Sequence, residues 1–201
     1  MKAFLFDAVV HQYTLDGQVL PSVTGILKPL YNFYGVDPSV LQAKAALGTA
    51  VHRACELLDN DDLDEDTEEG RAGLAPIAGY LAGYLKFKAE LEPVVLENET
   101  QQYHPVHLYA GTIDRRYTIK HDLWDIDLKS TVAMSPVVGL QTAAYSDMFK
   151  ANGARGKARR GALQLFPDGK YKLHEFKDPS DFAVFLSLLN VYRFKERHSL
   201  L

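Results

Sequence analysis

Apolar residues recur along this chain with two different periods, and the switches between the periods divide it into elements. Val9 to Val19 alternates loosely around Asp16-Gly17, a hairpin signal, and Ser22 or Thr24 is placed to cap a short helix running to about Leu30. Asp37-Pro38-Ser39 opens a helix to about Leu58 on the apolar positions Leu41, Ala45, Val51, Cys55 and Leu58. Gly48-Thr49 is expected to interrupt that helix at a cost of ~1 kcal/mol. Arg71 to Leu91 predicts a second long helix, with Leu74, Ile77, Leu81, Tyr84, Leu85 and Phe87 inward and Glu92-Pro93 as its stop.

From Val94 the period becomes two. Val94 to Tyr103 predicts a strand with Glu97, Glu99, Gln101 and Tyr103 on one face, and His104-Pro105 ends it. Ala110 to Thr131 then predicts two strands joined by a turn at His121-Asp122. On the second of them Trp124, Ile126 and Leu128 share an apolar face, while Asp127 and Lys129 share the opposite one. Ser135-Pro136 opens a helix to about Lys150 with the stripe Val137, Leu140, Ala144 and Met148, and Asn152-Gly153 closes it. Arg155 to Phe166 and Lys170 to Glu175 predict two strands around Pro167-Asp168-Gly169, and Pro179-Ser180-Asp181 starts a last helix on Phe182, Phe185, Leu188, Leu189 and Tyr192. No internal repeat is visible. The order helix, three strands, helix, strand gives an α/β class (α+β mixed), with a central mixed sheet flanked by helices.

Length changes this picture little: 201 residues fit one domain with a real core. The apolar runs fall short of a membrane span, and the start of the chain lacks the apolar stretch of a signal peptide, so the expected location is the cytoplasm. The single cysteine, Cys55, excludes a disulfide within this chain and any all-cysteine metal site built from it alone. Charge changes the picture more. The formal net charge of −4 argues against a broad nucleic-acid-binding surface, yet Asp59 to Glu69 is acidic and Lys150 to Lys177 is basic. The basic segment, with Arg155, Lys157, Arg159 and Arg160, is either a local phosphate-binding face or a solvated surface. The acidic segment lacks the glycine of a calcium loop, and the aromatics Tyr31, Phe33 and Tyr34 either stack on bases or pack under their loop.

Chemistry concentrates between residues 48 and 145. Two carboxylates on neighbouring strands, Asp114 and Asp127, with Lys129 beside one of them, suit a hard cation and a water held by an ammonium group. His52 lies four residues from Glu56, which fits a surface pair or, given other ligands, a metal or phosphate contact. Asp125 shares a face with Asp127, and Glu97 with Glu99.

Four segments in order carry a likeness. Gly48-Thr49-Ala50-Val51-His52, Gly111-Thr112-Ile113-Asp114-Arg115, Asp127-Leu128-Lys129-Ser130-Thr131 and Gln141-Thr142-Ala143-Ala144-Tyr145 are similar to the glycine-x-x-x-histidine, glycine-x-x-aspartate, D/E-x-K and glutamine-x-x-x-tyrosine motifs. With them the chain resembles the PD-(D/E)XK nuclease superfamily, in its RecB-like and phage-type exonuclease branch. The resemblance covers about Gly48 to Phe166, leaving the N-terminal hairpin and C-terminal helix outside. It implies a restriction-endonuclease-like αβββαβ core over about residues 40–166. It also implies a Mg²⁺-dependent deoxyribonuclease that also takes Mn²⁺, an exonuclease in DNA recombination, repair or phage DNA processing. Metal would be held by Asp114 and Asp127, with Glu99 and His52 completing the shell. Lys129 would position the water, and Gln141 and Tyr145 would contact DNA. Arg155, Lys157, Arg159 and Arg160 would hold flanking phosphates. Partners implied are DNA and a separate helicase or single-strand-annealing protein, with a homo-oligomer as one assembly. Cys55 alone cannot build the four-cysteine iron–sulfur cluster of some branches. Two other classes remain: a module of this fold that binds nucleic acid or protein without cutting, and a hydrolase of another phosphoester.

Overall fold

Five strands form one mixed sheet in chain order: β4 (Val94–Tyr103), β5 (Ala110–Ile119), β6 (Asp122–Lys129), β7 (Arg159–Leu165) and β8 (Tyr171–Phe176). Only β6 and β7 are parallel, because the helix α5 (Val137–Ala151) carries the chain back between them. A smaller antiparallel sheet, β1 (Phe4–Asp7), β2 (Gln12–Leu15) and β3 (Gln18–Leu20), precedes the short helix α1 (Val23–Leu27). The other helices are α2 (Pro38–Asp59), α3 (Glu68–Leu74), α4 (Ala78–Leu91) and α6 (Asp181–Arg197). The computed structural model describes residues 3–32, 34–64 and 67–200, so Phe33 of the aromatic loop and Glu65 and Asp66 of the acidic one lie outside the described residues.

The central sheet is packed on both faces. Tyr117, Trp124, Ile126, Leu128 and Leu163 meet α2 and α4, and the expected shared face of Trp124, Ile126 and Leu128 is found there. On the other face Ile113 joins α1, α5 and α6, whose Val23, Ile26, Val137, Met148, Phe185 and Leu189 are buried together. At roughly 1.5–3 kcal/mol for each fully buried large apolar side chain, these layers are the main source of stability. Helix α4 seats closely because it carries glycine at position 79: a methyl group there would lie 1.8 Å from the Pro167 carbonyl oxygen in the β7–β8 turn. The small sheet is tied on through Ala110, whose amide donates to the Pro21 carbonyl oxygen at 2.9 Å.

Several boundaries differ from expectation for local physical reasons. The turn between β5 and β6 is Lys120-His121, with Lys120 in the left-handed region at φ 59°, rather than His121-Asp122. Helix α2 runs unbroken through Gly48-Thr49, since packing of Val51, Ala54 and Cys55 outweighs a propensity of ~1 kcal/mol. Conversely, the expected single helix from Arg71 to Leu91 is broken around Pro76, which has no amide to give, into α3, a 3₁₀ turn and α4. Leu85, expected inside, is 46% exposed. Arg155 to Ala158 is a loop rather than strand, because β7 starts at Arg159. Val9 and Val10 belong to a turn between β1 and β2, and β1 itself had no clear alternation to announce it. Among the described residues no helix is long and apolar enough to cross a membrane.

Candidate metal centre at a fork between two strands

Strands β5 and β6 pair from Ile119 and Asp122 to Arg115 and Ile126, and there the ladder stops. The next residues on each strand are Asp114 and Asp127. Beyond this fork the peptide groups of β6 are free on the β5 side, and side chains take them. Asp114 Oδ2 accepts from the Leu128 amide at 2.7 Å, and His52 Nε2 lies 3.0 Å from the Leu128 carbonyl oxygen. A carbonyl can only accept, so Nε2 carries the proton in that bond. This leaves His52 Nδ1 turned toward Asp114 Oδ2 at 3.6 Å and Glu99 Oε1 at 3.7 Å.

The same break explains the strand faces. Ile113 packs with α1 and α5 while Tyr117 packs with α2 and α4, although their parity is equal. Strand β5 therefore turns over near Asp114. On the far side, the register that pairs Asn98 with Arg115 and Thr100 with Ile113 sets Glu99 opposite Asp114. Glu99 holds a left-handed φ of 46°, a conformation costing about 1–3 kcal/mol for a residue with a side chain. Glu97 is occupied elsewhere, accepting from Thr100 Oγ1 at 2.9 Å.

Ligand atoms of His52, Glu99 and Asp114 all lie within 4.8 Å of one another, the one such group among the described residues. This donor set fits a divalent cation on two counts. Two carboxylates and an imidazole nitrogen converge on one point, and the imidazole is aimed by donating its other N–H to a backbone carbonyl, as metal-ligating histidines commonly do. Without a cation, burial works against charging His52, but Asp114 and Glu99 outweigh it and raise its pKa to about 9.

Asp127 enters the cleft differently. Its Oδ1 accepts from Gln141 Nε2 at 2.8 Å, and its Oδ2 lies 2.5 Å from Lys129 Nζ. Gln141 also accepts from Lys129 at 3.3 Å and sits 3.3 Å from the Tyr145 hydroxyl, so its amide orientation is fixed by both neighbours. Burial raises the Asp127 pKa, with Lys129 opposing. Burial disfavours the Lys129 ammonium, yet Asp127 and Asp114 hold its pKa above the ordinary value, so the group is a cation at neutral pH. Asp125 is turned away, its Oδ1 3.2 Å from Arg116 Nε. Gly111 is needed because a methyl group there would come 2.7 Å from the Tyr145 ring.

His52, Glu99, Asp114, Asp127, Lys129, Gln141 and Tyr145 thus line one cavity of about 780 Å³. The basic residues do not join them. Lys157, Arg159 and Arg160 line a different cavity of about 1070 Å³, and Arg155 is exposed in the preceding loop. Arg159 forks onto Glu175 with two bonds of 2.8 Å and onto Asp122 at 2.7 Å. Arg160 holds Asp181 and the Gly139 carbonyl, tying α6 to the start of α5.

Sequence reasoning missed the residues behind the site. Arg115, fully buried, donates to Glu99 at 3.0 Å, to the Asp114 carbonyl at 2.7 Å and to Asp59 at 2.9 Å. Asp59, the first residue of the acidic segment, closes α2 with a fully buried side chain, bonded also by Tyr84 at 2.6 Å and Lys88 at 2.9 Å. Tyr84 meets Tyr117 at 2.6 Å, and Arg115 Nη2 has no hydrogen-bond partner among the described residues. Tyr13 is the other omission, its hydroxyl 2.8 Å from Thr112 Oγ1 at the cleft wall. The available signal was the run Ile113 to Ile119, whose apolar residues sit around charges that had to be buried with partners. Neither protein-family models nor curated proteins give any match to this chain.

Proposed function

We propose that the fork is the catalytic centre of a metal-dependent phosphodiesterase acting on DNA, as the resemblance to the PD-(D/E)XK nucleases implies. The observation that carries it is the convergence of His52 Nδ1, Glu99 and Asp114 within 4.8 Å, beside an Asp127–Lys129 pair in the same cleft. His52, Glu99 and Asp114 would hold Mg²⁺, with Asp127 at the edge of the set. When bound, the cation supplies Lewis acidity toward a phosphoryl oxygen and the attacking water.

The chain's own groups do the rest. Lys129, a cation here, cannot take a proton; it donates hydrogen bonds that aim a water and offset charge building on the phosphate. Asp127 keeps that ammonium in place, and Gln141 keeps Asp127 in place through a 2.8 Å bond. Arg115 holds Glu99 toward the group from behind. Tyr145, its hydroxyl pKa raised well above normal by burial, stays a neutral donor in the cleft. An exonuclease is the form that the resemblance favours.

The test is incubation of the purified protein with end-labelled linear and circular DNA, with Mg²⁺, with Mn²⁺ and with chelator. Cleavage with either cation and none with chelator is expected, and loss from the linear form alone marks an exonuclease. Failure of the wild-type protein to cut any DNA with either cation would sink the proposal.

A further inference from the structure

The N-terminal sheet lies outside the likeness to nucleases, yet it forms one wall of the same cleft. Phe6, Ala8, His11 and Tyr13 line the cavity that also holds Asp114 and Lys129. Three of these are rings in mutual contact. Phe6 stacks on Tyr13 with centroids 4.6 Å apart and planes 24° from parallel, and His11 stands edge-on to Phe6 at 5.2 Å. Tyr13 is buried and pinned by Thr112, two residues before Asp114 on β5, whereas Phe6 is half-buried and His11 exposed. The β1–β2 turn beside them ends in two apolar side chains turned to solvent, Val9 at 95% exposure and Val10 at 64%. Aromatic faces open to a cleft that handles phosphodiesters suit nucleobases, because every base has a π-face and stacking needs no particular sequence. Inside a duplex those faces are already covered by neighbouring base pairs. Only an unpaired or terminal base has one to offer.

We propose that β1 and β2 form a base-stacking platform, so that the cleft takes the single-stranded or frayed end of a nucleic acid with a base on the rings of Phe6 and His11. The phosphate attached to that base then reaches Lys129 and the His52–Glu99–Asp114 group in the same cavity. This rests on the phosphodiesterase proposal for the site, and it adds the substrate form that the site selects.

The test uses oligonucleotides carrying 2-aminopurine, a fluorescent base quenched on stacking, at successive positions from the end, with Ca²⁺ in place of Mg²⁺ to record binding. The wild-type protein is expected to quench a base at the single-stranded end and to bind single strands about tenfold more tightly than blunt duplexes. Phe6→Leu keeps an apolar side chain but removes the ring. His11→Asn removes an exposed ring from a backbone at φ 48°, which asparagine tolerates, so the fold is not at stake in this second variant. Each should lose quenching and roughly tenfold in single-strand affinity. A strand of abasic spacers, having phosphates without bases, should bind wild-type protein as weakly as the normal strand binds the variants. Unchanged quenching and affinity in His11→Asn, or equal affinity for single strands and blunt duplexes, overturns the platform. Quenching by a wild-type protein that cleaves nothing with Mg²⁺ or Mn²⁺ supports the platform and overturns the nuclease proposal instead.

Discussion

The fork site and the Asp59 network share the Arg115 guanidinium, and both gather charge inside the protein, yet they are built to opposite ends. Behind the fork, Asp59 receives Arg115, Lys88 and Tyr84, so its buried carboxylate has a donor on each side. At the fork, His52, Glu99 and Asp114 present negative charge and a ring nitrogen to one another; Arg115 reaches Glu99 alone, and a proton on His52 supplies the other positive charge. The first cluster is complete within the chain and holds α2 to the sheet. The second is short of positive charge, which is how a protein keeps a place for a cation.

The sharpest way to break this contrast is Arg115→Met. Removing one partner from a buried pair leaves Asp59 short of charge and costs about 3–5 kcal/mol, read from denaturant unfolding. Wild-type stability in that variant would show that the network is not what anchors α2. Asp114→Asn should weigh on function instead: cleavage falls by more than about a hundredfold, while the loss in unfolding free energy stays below that of Arg115→Met. In the wild-type protein Mg²⁺ should add about 2.7 kcal/mol of stability at a hundred times its dissociation constant, and Asp114→Asn should abolish that gain. Thermal melts with and without the cation decide it.

A pH titration sharpens the same contrast with a smaller effect. In the folded protein the His52 pKa is about 9, above the unfolded value near 6.5. Its contribution to cation-free stability is therefore full below pH 6.5 and lost as pH rises through 9. A cation must displace that proton, so calorimetric affinity for Mg²⁺ should tighten by up to about tenfold per pH unit over this window and level off above it. A pH-independent affinity would separate His52 from the cation. The smallest effect belongs to the basic cluster. Arg159→Gln breaks an ion pair that is 41% exposed, so stability should fall by less than about 1 kcal/mol and cation affinity should not move.

The elements that depend on neighbours in sequence were legible. Period-two alternation and the Pro167-Asp168-Gly169 turn gave the strands of the central sheet, and their order with the helices gave the mixed sheet. Pro76 is legible too: lacking an amide to donate, it divides the helix expected from Arg71 to Leu91. The fork was not, because the Leu128 peptide groups where the β5–β6 ladder ends are taken by the side chains of Asp114 and His52, and His52 lies 76 residues away in the chain. Arg115 illustrates the limit. In sequence it looks like a surface partner for Asp114, and only the arrival of Asp59 from the end of α2 makes its burial possible.

Cys55 gives this architecture a practical handle. It is fully buried on α2, one turn beyond His52, and burial pushes its thiol pKa to about 12. In the folded chain a maleimide or disulfide reagent finds little thiolate to attack, so labelling at neutral pH waits for α2 to lift from the sheet. With one cysteine in the chain, the labelling rate becomes a clock for that single opening. A cysteine installed at Val9, out in solvent, would react immediately and set the fast hand of the same clock.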